Sequence, residues 1–122
     1  MKESKVWYKV EAEAKKRLEA DAKDTLIRQI ELILFKLGIK RSERNDRPVA
    51  YPKEYVKYIT KGGAELANKV RTTLSTLGFN FKPVAMHTPD TDAMSATGTY
   101  RTLDYIVDVV FRHDELKVDI YF

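Results

Sequence analysis

The chain has no cysteine, which removes disulfide frameworks, thiolate metal sites and cysteine nucleophiles together and fits a reducing compartment. With only two histidines beside that absence, a structural zinc site is not expected. No apolar run reaches the roughly 18 residues of a membrane span. Met1 is followed by Lys2 and Glu3 with no apolar segment of the signal-peptide kind. The cytoplasm is therefore the expected compartment, and no membrane partner is expected. Glycine and proline are scarce, and neither occurs before Gly38. Gly62-Gly63 precedes a helix but lacks the Lys-Ser/Thr of a phosphate loop, and no Ser-His-Asp pattern stands out. The expectation is a protein without cofactor, without a metal site and without an assignable catalytic residue, leaning away from an enzyme.

What is present suits a packed globule. The 122 residues are 43% apolar and 33% charged, enough for one hydrophobic core and too few for two. One domain is expected, with residues 1–23 as a helix half that projects or packs and 24–122 as the globular core. Charge is uneven along it. Residues 1–47 hold 13 Lys/Arg against 9 Asp/Glu, 48–86 hold 6 against 2, and 87–122 hold 3 against 7. Such asymmetry marks where a polyanion-binding face or an acidic face is sought.

From Ser4 to about Leu37 nearly every residue favours helix, and Gly38 stands where a C-cap glycine belongs. Apolar positions run Val6, Trp7, Val10, Ala14 and Leu18, then Leu26, Ile27, Ile30, Ile33, Leu34 and Leu37, interrupted by polar residues 19–24. Unbroken, this helix spans roughly 50 Å, against a radius of gyration of about 14 Å for a compact domain of this length. Either it breaks, with Asp24 as N-cap, or its first half projects and finds a partner. Residues 39–50 read as a basic loop. Pro52 opens a short helix through Tyr55, Val56 and Ile59, and a second runs from Ala64 to Leu77 before Gly78. Residues 79–86 have strand composition, with Pro83 arguing for an edge, and His87 to Gly98 reads as an exposed loop.

From Thr99 the apolar period becomes 2, with Leu103, Tyr105, Val107, Val109 and Phe111 on one side and Leu116, Val118, Ile120 and Phe122 repeating the pattern. Keeping both sets on one face requires Phe111 opposite Leu116, so paired residue numbers sum to 227 and residues 112–115 form the turn. The expected fold is α+β: a long helix, two short helices, and a three-stranded antiparallel sheet ending in a C-terminal β-hairpin. The last strand is either central or an open edge.

The same register sets Asp108 opposite Asp119, with Asp104 on that face. Like charges in opposition are destabilising, so the trio is read as an exposed face whose charges are solvated or neutralised by Lys and Arg, with a cation site or an acidic docking face as the functional alternatives. Pro89-Asp90 followed by Glu115-Leu116-Lys117 looks like the acidic-x-Lys motif of the restriction-endonuclease-like nucleases, a resemblance that implies metal-dependent cleavage. In that family the triplet lies inside a core strand with further structure after it, whereas here it begins in the expected turn and five residues follow Lys117. His87 with Asp90 and Asp92 is a further loop cluster, read as surface.

A core helix, two short helices about Gly62-Gly63 and following strands resemble a winged helix-turn-helix over residues 24–111. That resemblance implies a recognition helix at 64–77 offering Asn68, Lys69, Arg71, Thr72 and Ser75 to nucleic acid, joined by Lys40, Arg41, Arg44 and Arg47 of the basic loop. The candidate wing at 87–98 carries two Asp and no Lys or Arg, which opposes it. Three functions follow in order: a non-enzymatic nucleic-acid-binding protein, dimeric through its N-terminal helix; a protein-binding module using Trp7 and Val10, the open C-terminal strand, or Asp104, Asp108 and Asp119; and a metal-dependent nuclease.

Overall fold

The computed structural model describes residues 2–45, 54–84 and 91–122, with side chains of residues 10–44 in the first segment. Its elements are α1 (Lys2–Lys36), β1 (Arg41–Asn45), β2 (Tyr55–Lys61), α2 (Ala64–Ser75), β3 (Lys82–Pro83), β4 (Thr91–Tyr100), β5 (Leu103–Arg112) and β6 (Glu115–Tyr121). All six strands join one antiparallel sheet in the order β1-β2-β6-β5-β4-β3.

Both helices cover one face of that sheet. Leu26, Ile27, Ile30 and Leu34 of α1 and Ala67, Val70 and Leu74 of α2 share one core with Val56, Tyr58, Ala96, Val107, Val109, Phe111, Leu116, Val118 and Ile120. Every strand contribution to this set comes from alternate positions, as a half-covered sheet requires. α1 ends in a Schellman turn: Gly38 has φ +82, its N–H bonds the carbonyl of Phe35, and the N–H of buried Ile39 bonds that of Leu34 at 2.8 Å. α2 closes in the same way through Gly78 and Phe79.

The hairpin register is as the alternation requires, with Phe111 against Leu116 and Asp108 against Asp119. Its turn is tighter than expected: Arg112 pairs with Glu115, and His113-Asp114 alone turn the chain, both at positive φ. The α+β class, the helix from Ala64 and the edge strand at Pro83 stand, and the numbers of helices and strands are corrected. Among the described residues there are two helices and a six-stranded sheet, not three helices and three strands. The helix expected after Pro52 is strand β2, because Val56 and Tyr58 alternate inward while Tyr55, Lys57 and Ile59 alternate outward against β6. The basic loop contains strand β1, and most of the supposed wing loop is the ten-residue strand β4. A winged helix is thereby excluded: its first short helix and its wing are both strands. The C-terminal strand is central, held between β2 and β5, so it offers no open edge. Nor does α1 break at Asp24; it is one helix of 35 residues.

β4 is a strand because all ten of its residues pair with β5, and its small residues fit what packs against them. A Cβ at Gly98 would lie 2.6 Å from the Tyr105 hydroxyl, whose ring packs edge-on against Phe79. Ala96, opposite Val107, is fully buried.

Candidate functional site

The most unusual surface is on α1. Residues 10–18 are exposed throughout, and the first buried position among the described side chains is Ala22. The overhang grows from an anchored helix, so it needs no nucleus of its own, and its Ala, Glu, Lys and Arg content sustains propagation. The polar interruption at 19–24 is where the apolar stripe changes sides. At 100° per residue Leu32 lies only about 40° around the helix from Leu18, whereas Leu34 lies about 160° away. Val10, Leu18, Leu32 and Phe35 accordingly form one outward line, 51, 70, 57 and 48% exposed, while Leu26, Ile30 and Leu34 face the core. Ala14 lies in the same line, also exposed, and Thr25 is half-buried within it. Sequence reading missed Leu32 and Phe35. Their signal was that they fall out of phase with the core positions and in phase with Val10, Ala14 and Leu18. Of the two helix residues expected to dock, Val10 belongs to this line, and the side chain of Trp7 lies outside the described residues.

The expected nucleic-acid residues are distributed differently. Arg44 pairs with Asp24 at 2.9 Å, and Arg41 binds Glu31, so the basic strand β1 is clamped onto α1. Lys23 adds a 2.8 Å pair with Glu54. Arg71 is buried, bonding Asp92 at 2.8 Å and the Asn68 amide oxygen, which ties α2 to β4. The Ser75 hydroxyl donates to the Arg71 carbonyl at 2.7 Å. Lys40, Lys69 and Thr72 are exposed, and Arg47 lies outside the described residues.

The sheet's other face carries the aspartates. A row crosses all six strands there: Glu43, Lys57, Asp119, Asp108, Ser95 and Lys82 in successive register. Lys57 thus stands beside Asp119, while the neighbour of Asp108 is Ser95, whose Oγ donates a hydrogen bond to it, with Lys82 one strand further. Asp104 stands four residues further along β5, about 13 Å away, accepting from Thr99 Oγ1 at 2.9 Å. Among the described residues no group of three or more acidic, His or Cys side chains could hold a metal ion. His87, Pro89 and Asp90 lie outside those residues.

Asp119 is only 9% exposed although it faces away from the helices, and its Oδ1 has no hydrogen-bond partner. Oδ2 accepts from the Tyr121 hydroxyl at 3.3 Å. Burial raises the Asp119 carboxyl above its ordinary value, with Asp108 adding to the rise and Lys57 and Tyr121 opposing it. Burial, with the two carboxylates beside it, pushes the Tyr121 hydroxyl up to about 12. Because the folded pKa of Asp119 exceeds the unfolded one, the native state keeps a proton that the unfolded chain has lost, and stability falls as pH rises through that window. Asp119→Asn is expected to stabilise the protein at pH 7 by on the order of 1 kcal/mol. The gain should vanish below about pH 3.9, the unfolded Asp value. Thermal melts of both proteins across that range, compared at each pH, check the sign.

No helix among the described residues is long and apolar enough to cross a membrane. No family model, curated protein or solved structure matches the chain.

Proposed function

We propose that the chain is a cytoplasmic protein-binding module of the adaptor or assembly-subunit kind, whose docking element is the outward line of α1. One observation carries this: four large apolar side chains, Val10, Leu18, Leu32 and Phe35, lie about half or more exposed along one side of one helix, opposite the side that packs into the core. An amphipathic helix with a second apolar line is suited to lie against another helix or in a groove. The nucleic-acid reading keeps Lys40, Lys69 and Thr72 as exposed contacts, but Arg41, Arg44 and Arg71 face carboxylates of this chain. Such pairing reduces the positive charge offered to phosphates.

The test is photo-crosslinking in cells from a benzophenone amino acid placed at Leu18, with Lys69 on the outer face of α2 as the comparison site. Discrete protein adducts from Leu18 and few from Lys69 are expected. Absence of a protein adduct from Leu18, or nucleic-acid adducts from Lys69 in its place, would reverse the choice.

A further inference from the structure

Charge along α1 identifies the partner more closely, on the footing of the docking reading just given. We propose that the outward line is covered by the same line of a second copy, the two helices running antiparallel with paired residue numbers summing to about 42. The line from Val10 to Phe35 is about 38 Å long. Its apolar residues sit at the two ends, and its middle, through Asp21 and Arg28, is polar. Antiparallel pairing sets Val10 against Leu32 of the second copy and Leu18 beside its Thr25, at the border of the polar middle, and symmetry repeats both contacts.

The flanking charges distinguish this arrangement from a parallel one. Antiparallel packing sets the same edge of each helix against its counterpart. On one edge Arg17 then faces Asp24 of the second copy, and Arg28 faces its Glu13, each contact occurring twice. Glu13, Arg17 and Arg28 make no ion pair among the described residues, and Asp24, although bonded to Arg44, keeps a side chain 57% exposed. Parallel in-register pairing sets Arg28 against Arg28 in the seam. Asp21 meets its own copy at the two-fold axis in the antiparallel arrangement, a repulsion offset by Arg17 of both copies one turn to either side. Among the described residues, each globular body packs on the side of its helix away from the line.

Absence of cysteine makes single cysteines unique probes on the full chain. Val10→Cys and Leu32→Cys are made separately, both at exposed positions, and oxidised alone and mixed. The mixture is expected to form disulfide-linked dimers and each protein alone to stay unlinked, because in this register two copies of residue 10 stand about 33 Å apart while a disulfide needs Cα atoms within about 7 Å. Linkage of each protein with itself overturns the antiparallel register. A second measurement reads the charges: Arg28→Glu should weaken dimerisation roughly tenfold, and adding Glu13→Arg should restore it, a rescue that parallel pairing cannot give. A chain that sediments as a monomer and links in no combination overturns self-pairing. In that case an adduct from Leu18 to a different protein leaves the docking reading standing, and no protein adduct removes both.

Discussion

Glu31→Ala is expected to destabilise the protein by about 3 kcal/mol, lowering the melting temperature by about 10 °C. Glu31 is 9% exposed and accepts hydrogen bonds from two elements, from the Tyr58 hydroxyl of β2 at 2.7 Å and from the Arg41 guanidinium of β1. Tyr58 is fully buried, and burial together with this carboxylate holds its hydroxyl well above the usual tyrosine range. Alanine leaves that hydroxyl without an acceptor in the core, where an unmade bond carries the full desolvation penalty. Arg41, with 36% of its side chain exposed, can turn to water. Most of the loss therefore belongs to Tyr58. Tyr58→Phe removes the donor together with its need, so it should cost only about 1 kcal/mol. Urea unfolding of the two variants checks the ratio, and equal losses would show that the hydroxyl is not what Glu31 supports.

The second large effect separates two leucines two residues apart. Leu34→Ala should cost about 3 kcal/mol, since Leu34 is fully buried and its truncation leaves a cavity in a shared core. Leu32→Ala should cost no more than about 0.5 kcal/mol, because Leu32 is 57% exposed. The comparison belongs in a Leu18→Asp background, where association through the outward line is removed and only the fold is measured. Similar losses at both positions would contradict the helical phase assigned to α1, and with it the docking line.

How much of this was legible follows from the range of the forces involved. The β5–β6 register could be read because the period-2 pattern is local to 20 residues and a one-residue slip exposes every core side chain. α2 could be read because Leu66, Val70 and Leu74 repeat at helical spacing beside Gly78. β2 was misread because Tyr55, Val56 and Ile59 also fit a helix face, and only pairing with β6 selects the alternation. β1 has no apolar residue at all; it is a strand because β2 supplies a ladder and Glu31 and Asp24 supply counter-charges. β4 has a loop-like composition, with Ala93, Met94, Ala96 and Tyr100 set among Asp, Ser, Thr and Gly, and its hairpin to β5 turns at Arg101-Thr102, both at positive φ, where no Asn-Gly or Asp-Gly signalled a turn. Of the candidate site, Val10 and Leu18 were legible as an amphipathic half-helix, and Leu32 and Phe35 were not, because they sit amid core residues in a dense apolar run.

By itself, then, the sequence determined the helical character of the segment before Gly38, the absence of thiol chemistry, the helix at 64 and the hairpin with its facing aspartates, all of which depend on neighbours a few residues apart or on composition. Tertiary structure alone decided that the C-terminal strand is central, that polar segments become strands, that Arg41, Arg44 and Arg71 are held by carboxylates, and which side of α1 remains uncovered. Those outcomes depend on partners ten or more residues distant, whose pairing free energy outweighs local propensity only once the sheet is assembled.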